Sequence, residues 1–209
     1  MRILFLPLVA FVTLLAAAGC DADQNGGNSS AASTTTPAPT VTAEDALVDA
    51  ASFPGCTMQG QGSLYTNTFA RSFDCENGDR LTTTIAFGRT PEEAKATQDN
   101  TWGTKDGATD QIRAALGARP VNIDSLTVSD ASAAFGTIGA DQENIWCAVY
   151  TDPSGTRRVT EFYGVLRYKA ILVQYTAFTE TSGSCEGSRA LESARVLAKE
   201  QLNKLRTLP

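Results

Sequence analysis

The chain contains no histidine at all among its 209 residues. That absence excludes Ser-His-Asp and Cys-His nucleophilic machinery, imidazole acid–base chemistry and any metal site built on His ligands. Other signatures of chemistry are missing as well: no Ser-x-x-Lys, no G-x-x-x-x-G-K-[ST] phosphate loop and no G-x-G-x-x-G fingerprint occurs. Basic residues are scarce, 17 Lys and Arg against 23 Asp and Glu for a net charge of −6. They cluster only at Arg157-Arg158 and near the C-terminus, so the electrostatic footprint of a nucleic-acid binder is lacking. No Cys-x-x-Cys pair is present, which leaves a thiolate zinc shell without its usual spacing. No cofactor, metal or nucleic-acid partner is expected.

Long apolar runs are also rare, and the one that exists opens the chain. Arg2 is followed by an apolar stretch from Ile3 to Ala18, then Gly19-Cys20 and the polar Asp21-Ala22-Asp23. A basic start, an apolar stretch and a small-residue cleavage site describe a secretory signal. The segment Leu15-Ala16-Ala17-Ala18-Gly19-Cys20 resembles the lipobox of bacterial lipoproteins. The resemblance implies cleavage before Cys20, diacylglyceryl and palmitate modification of that cysteine, and residence at the extracytoplasmic face of a bacterial membrane through the N-terminal lipid. An uncleaved membrane helix is the other reading, but Pro7 interrupts a run at the lower limit of the roughly 17–25 residues that span a bilayer.

Three segments follow from this. Residues 1–19 are the signal peptide, 20–42 the acylated Cys and a linker, and 43–209 a single globular domain. The linker carries one sizeable apolar side chain, Val41, among Gly, Ser, Thr, Ala, Asn and Pro, and its composition predicts a disordered spacer with an end-to-end distance of about 25 Å. Its Asp21-x-Asp23-x-Asn25-Gly26 copies the opening of a calcium loop, but Ala32 stands where the bidentate Glu is required.

With Cys20 assigned to lipid, Cys56, Cys75, Cys147 and Cys185 form an even set, which in an exported protein reads as two disulfides. Of the three connectivities, Cys56–Cys75 with Cys147–Cys185 is favoured, because each pair joins segments that the strand pattern brings together. The segment Gly183-Ser184-Cys185-Glu186-Gly187 mimics a nucleophile elbow, yet without a base to activate the thiol a disulfide is the better assignment. Carboxylate pairs are the remaining enzymatic route, since two Asp or Glu residues can cleave glycosides without histidine. The candidates are Asp141, Glu143, Glu161, Asp124 and Asp130. Each also reads as a solvated loop or strand-face charge, and none is assigned a catalytic role.

Within the domain, Thr42 and Asp45 mark a helix start before Ala43, Ala46, Leu47 and Ala50, and Pro54-Gly55 ends it. Phe69, Phe73 and Cys75 and then Leu81, Thr83, Ile85 and Phe87 flank Asn77-Gly78, the strongest hairpin signal in the chain. Thr90-Pro91-Glu92-Glu93 opens a helix to about Thr101, and a second helix ends near Gly117. Extended segments are predicted at Val121–Val128, around Ile145–Val149, and at Arg158–Leu166 and Ala170–Phe178 beyond the turn Asp152-Pro153-Ser154-Gly155. Ile171, Val173 and Tyr175 with Leu172 and Phe178 make the last strand apolar on both faces. A final helix from about Arg189 carries Leu191, Ala194, Ala198, Leu202 and Leu205 on one stripe.

The expected fold is therefore α+β: an antiparallel sheet of five or six strands with helices mainly on one face and two disulfides. Trp102 and Trp146 read as core, or with Tyr150, Tyr163 and Tyr168 as the lining of a groove. The function this supports is a non-catalytic, lipid-anchored module that binds an envelope protein or a small apolar ligand. The alternative is a His-free hydrolase acting on envelope glycans with paired carboxylates.

One prediction rests on sequence alone. Cys20→Ala should abolish metabolic labelling with a palmitate analogue and release or mislocalise the protein on membrane fractionation, whereas unchanged retention points to the uncleaved helix.

Overall fold

A computed structural model of the chain describes residues 41–65, 67–179 and 184–209. The signal, Cys20, the linker to residue 40 with its calcium-loop-like segment, and Gly183 of the elbow-like segment lie outside them.

Asn77-Gly78 sits where its chemistry predicts, between β2 (Thr68–Cys75) and β3 (Arg80–Phe87). Gly78 adopts φ 85° and its N–H closes on the Cys75 carbonyl at 2.9 Å, a left-handed position that glycine takes without steric cost. β3 then pairs with β7 (Ile171–Thr179), which continues through β6 (Arg158–Tyr168) and β5 (Gln142–Thr151) to β4 (Asn122–Asp130). On the other side β2 pairs with β1 (Cys56–Tyr65). The result is one antiparallel sheet of seven strands, ordered β1-β2-β3-β7-β6-β5-β4.

Seven strands replace the expected five or six, and β1 is the one the sequence hides. Its Gln59, Gly60, Gln61 and Gly62 lack the alternation and β-branched content of a strand. It is extended because its backbone pairs along β2 and because Cys56 and Cys75, directly opposite in register, are bonded. The second disulfide joins Cys147 of β5 to Cys185, just before the last helix.

Both faces of the central strands are apolar, so both are covered. On β5, Ile145, Cys147 and Val149 join one core cluster, and Trp146, Ala148 and Tyr150 join another on the opposite face. The first cluster is roofed by α4 (Arg189–Arg206), whose buried stripe includes Ala190, Leu191, Ala194, Leu197 and Ala198. A short α3 (Ser132–Phe135) adds Phe135 to it. The second cluster is roofed by α1 (Pro91–Trp102) and α2 (Lys105–Gly117) through Trp102, Ala108, Ile112 and Leu116. Helices therefore lie on both faces, not mainly on one, because the inner strands leave no face free to meet water.

The cap expected at Thr90 forms, and two further helices are capped in the same way. Thr90, Thr104 and Ser188 each accept a hydrogen bond from a backbone N–H in the first turn of α1, α2 and α4. The predicted first helix does not propagate. Thr42 and Asp45 form their reciprocal pair, with the Thr42 hydroxyl donating to Asp45 Oδ2 at 2.6 Å and accepting from the Asp45 N–H at 3.2 Å. After one turn the chain runs on to a 3₁₀ turn at Ala50–Ser52, because distant side chains take over its backbone groups. Arg71 Nη1 donates to the carbonyls of Leu47 at 3.1 Å and Val48 at 3.0 Å and to Asp49 Oδ1 at 2.7 Å. The fully buried Gln201 of α4 accepts from Val48 N–H at 3.2 Å and donates to the Ala46 carbonyl at 2.7 Å. Val41 packs partly against the same core.

Across β6 and β7, Gly164 lies opposite Tyr175. A methyl group built on Gly164 would fall inside the Tyr175 ring, and Tyr175 is itself buried in the core beside Phe135. Gly164→Ala should therefore destabilise the fold by about 2 kcal/mol or more through overpacking, read as a lowered urea midpoint. Gly164→Ala with Tyr175→Leu should recover part of the loss.

Candidate functional site

The face roofed by α1 and α2 is covered only in part, and the remainder forms a cleft of about 400 Å³. Strand parity builds its floor. Tyr150 of β5, Val159, Glu161 and Tyr163 of β6, Gln174, Thr176 and Phe178 of β7 and Arg80 and Thr82 of β3 all line it, each at alternate positions of its strand. The walls are the C-terminal end of α2 with the following Ala118, Arg119 and Pro120, and the β5–β6 turn. That turn is held by Asp152, whose Oδ1 accepts from Ser154 Oγ at 2.8 Å, Thr156 N–H at 3.0 Å and Arg157 N–H at 3.2 Å.

A buried charge cluster lies at the base. Glu161 is 2% exposed. Arg119 Nη2 lies 3.0 Å from both of its oxygens and 2.8 Å from the Tyr163 hydroxyl, while the Tyr150 hydroxyl donates to Glu161 Oε2 at 2.9 Å. Arg119 reaches this point because α2 ends at Gly117 and Pro120 cannot continue a helical ladder. Burial works against the charge on Arg119, but the Glu161 carboxylate and the two phenols outweigh it and hold the guanidinium firmly protonated. Burial first, and then the neighbouring Glu161, push the Tyr150 and Tyr163 phenols well above their ordinary range. The cluster thus sets a protonated guanidinium and two neutral phenols around the Glu161 carboxyl group.

Of the candidates named from sequence, Glu161, Tyr150 and Tyr163 come together here. Trp102 and Trp146 are core residues, bonded to each other through the Trp146 indole N–H and the Trp102 carbonyl at 3.0 Å. Tyr168 packs against the α4-side core, with Lys169 over its ring at 5.3 Å. The other carboxylates are dispersed. Glu143 Oε1 accepts from the N–H groups of Gly139 and Ala140 at 3.0 Å each, organising a loop beside a smaller cavity of about 260 Å³. Asp141 accepts from Lys169 N–H at 2.6 Å, Asp130 from Ser132 N–H at 2.8 Å, and Asp124 is exposed on the outermost strand. Cys185 is spent in its disulfide.

Arg119 and Asp152 are among the cleft residues that sequence reasoning did not single out as a site. The strand pattern signals only that some cation is needed, without naming Arg119: folding the strands back about the Asp152 turn puts Glu161 on the Tyr150 face, and a carboxylate among apolar neighbours demands a cation. Asp152 and Glu161 are the two carboxylates lining the cleft among the described residues. Both are engaged as acceptors, and the Asp152 carboxyl is held below its usual range by the Arg157 N–H and the Ser154 hydroxyl. Neither is arranged as the proton donor that glycoside cleavage requires. No group of three metal-ligating side chains occurs among the described residues. No helix among them is long and apolar enough to cross a membrane.

The ion pair generates a stability prediction. Arg119→Met strands a buried carboxylate and should cost about 3–5 kcal/mol, measured by chemical denaturation. Arg119→Met with Glu161→Met should recover most of it, since the loss comes from the unpaired charge.

No protein-family model matches this chain, and no curated protein does. Among solved structures, the chain is similar to the X-ray structure of an uncharacterized protein from Mycobacterium smegmatis, at a TM-score of 0.38 and 12% identity over 74% of this chain and 67% of that one.

Proposed function

We propose that the chain is a lipid-anchored, extracytoplasmic, non-catalytic binding module of a bacterial envelope, and that the cleft above Glu161 takes a small, largely apolar molecule. The observation that carries this reading is the cleft itself. Its 400 Å³ falls within the roughly 300–1,000 Å³ of small-molecule sites. Val159, Phe178, Val121 and Ala115 supply apolar walls, and a few fixed polar groups supply orientation. Two disulfides and four cysteines fully paired in them support an oxidising compartment, in keeping with the lipobox at Cys20. The engagement of Asp152 and Glu161 as acceptors favours binding over glycan hydrolysis. The scale of the cavity favours a small molecule over an envelope protein.

The test is a titration of the protein with N-phenyl-1-naphthylamine, a neutral probe that fluoresces in apolar surroundings. Saturable binding at one site is expected. Ala118→Trp, which places an indole at the mouth from an exposed position, should weaken it at least about tenfold with the unfolding midpoint retained. Absence of saturable binding to the unmodified protein removes the reading.

A further inference from the structure

We infer that the occupant of the cleft carries a terminal carboxylate on its apolar body, and that the uncommitted donors of Arg119 recognise it. The inference deepens the binding reading above and rests on it.

A guanidinium has five N–H donors. All three side-chain hydrogen bonds of Arg119 leave from Nη2. Nη1 and Nε, with three N–H groups between them, bond nothing among the described residues. They are not sealed away, since the Arg119 side chain is 29% exposed and lines the cleft. Its charge is fixed in place, because Glu161 and Tyr163 hold Nη2 and the backbone is pinned by Arg119 N–H on the Leu116 carbonyl at 2.8 Å. An immobile cation with spare donors is preorganised for an oxyanion, and a charge-assisted hydrogen bond is roughly twice as strong as a neutral one.

The surroundings select among ligands. A hydrocarbon seated against Arg119 would take water from Nη1 and Nε without replacing it, and an uncharged acceptor such as an amide carbonyl would replace it without a charge to set against the guanidinium. An ammonium would face Arg119, with Arg80 and Arg157 also on the lining. A dianion such as a phosphate monoester would meet Glu161 and Asp152, which line the same space. A single carboxylate satisfies the open donors and limits that repulsion. The hydroxyls of Thr82 and Thr176 and the Gln174 amide are further polar groups on the lining, and the rest of the ligand lies against Phe178 and Val159. The preference has a consequence for salt: because the site is partly exposed, affinity for the anion must fall as ionic strength rises.

The experiment compares three probes of one shape by isothermal titration of the full domain: 2-naphthoate, 2-naphthamide and 2-naphthylmethylammonium. The naphthoate should bind at least about tenfold tighter than the amide, with the ammonium weakest, and salt should weaken only the naphthoate. The paired substitution Arg119→Gln with Glu161→Gln removes both charges together and should bring naphthoate and amide within about twofold of each other. Equal affinities in the unmodified protein, or a preference that survives the paired substitution, overturn the carboxylate assignment while leaving the cleft as a binding site. Absence of binding by all three overturns both. Should the paired variant fail to fold, the wild-type ratio and its salt dependence still decide.

Discussion

The structure depends on one constraint: strands β5 and β6 are buried along both faces through most of their length, and neither face can be left bare to water. Two roofs are therefore required, and the chain supplies them unequally. α4, α3 and the segment from Val41 to Phe53 close one side around Phe73, Ile85, Phe162 and Leu166. α1 and α2 close the other only in part, around Trp146, Ala148 and Val165. The cleft is what remains where the second roof ends. Its position follows from helix length, since α2 stops at Gly117 and the chain must turn back to begin the outermost strand.

A carboxylate at that margin is the second determinant. Glu161 lies in β6 between Thr160 and Phe162, both fully buried, and cannot be relocated without breaking the ladder. Burying it alone would cost several kcal/mol, so the loop after α2 delivers Arg119 and the neighbouring strand delivers Tyr150. The same contacts that neutralise Glu161 also immobilise Arg119. Stability of the floor and rigidity of the recognising group are thus one arrangement, in which a residue required by the fold becomes the part of the cleft best placed to discriminate.

Much of the architecture was legible in the sequence because its signals were local. Asn77-Gly78 specified a hairpin, Thr90-Pro91 a helix start, the Asp152 turn a second hairpin, and the Leu191–Leu205 stripe a helix lying on the sheet. What was not legible depended on distant partners. β1 has a strand's conformation without a strand's composition, and only β2 and the Cys56–Cys75 bond explain it. The first helix had a sound start, but Arg71 and Gln201, far along the chain, captured its backbone. The placement of α1 and α2 opposite α4 could be read only by treating each apolar parity of β5 as a face in need of cover. At the site, Glu161, Tyr150 and Tyr163 were visible as residue types. Arg119 was not, because nothing near it in sequence announces a buried acid more than forty residues away.

The segment held by Arg71 and Gln201 has a mechanical meaning. The chain enters the domain at Val41 on the α4 face, and the cleft opens on the opposite face of the sheet. A pull applied through residue 41 therefore meets Leu47 in its core socket, and the side chains of Gln201 and Arg71, before it reaches the backbone of any strand. The load is taken up by a short strap on the far side of the molecule. The strap thus lies between residue 41 and the sheet, on the face opposite the cleft.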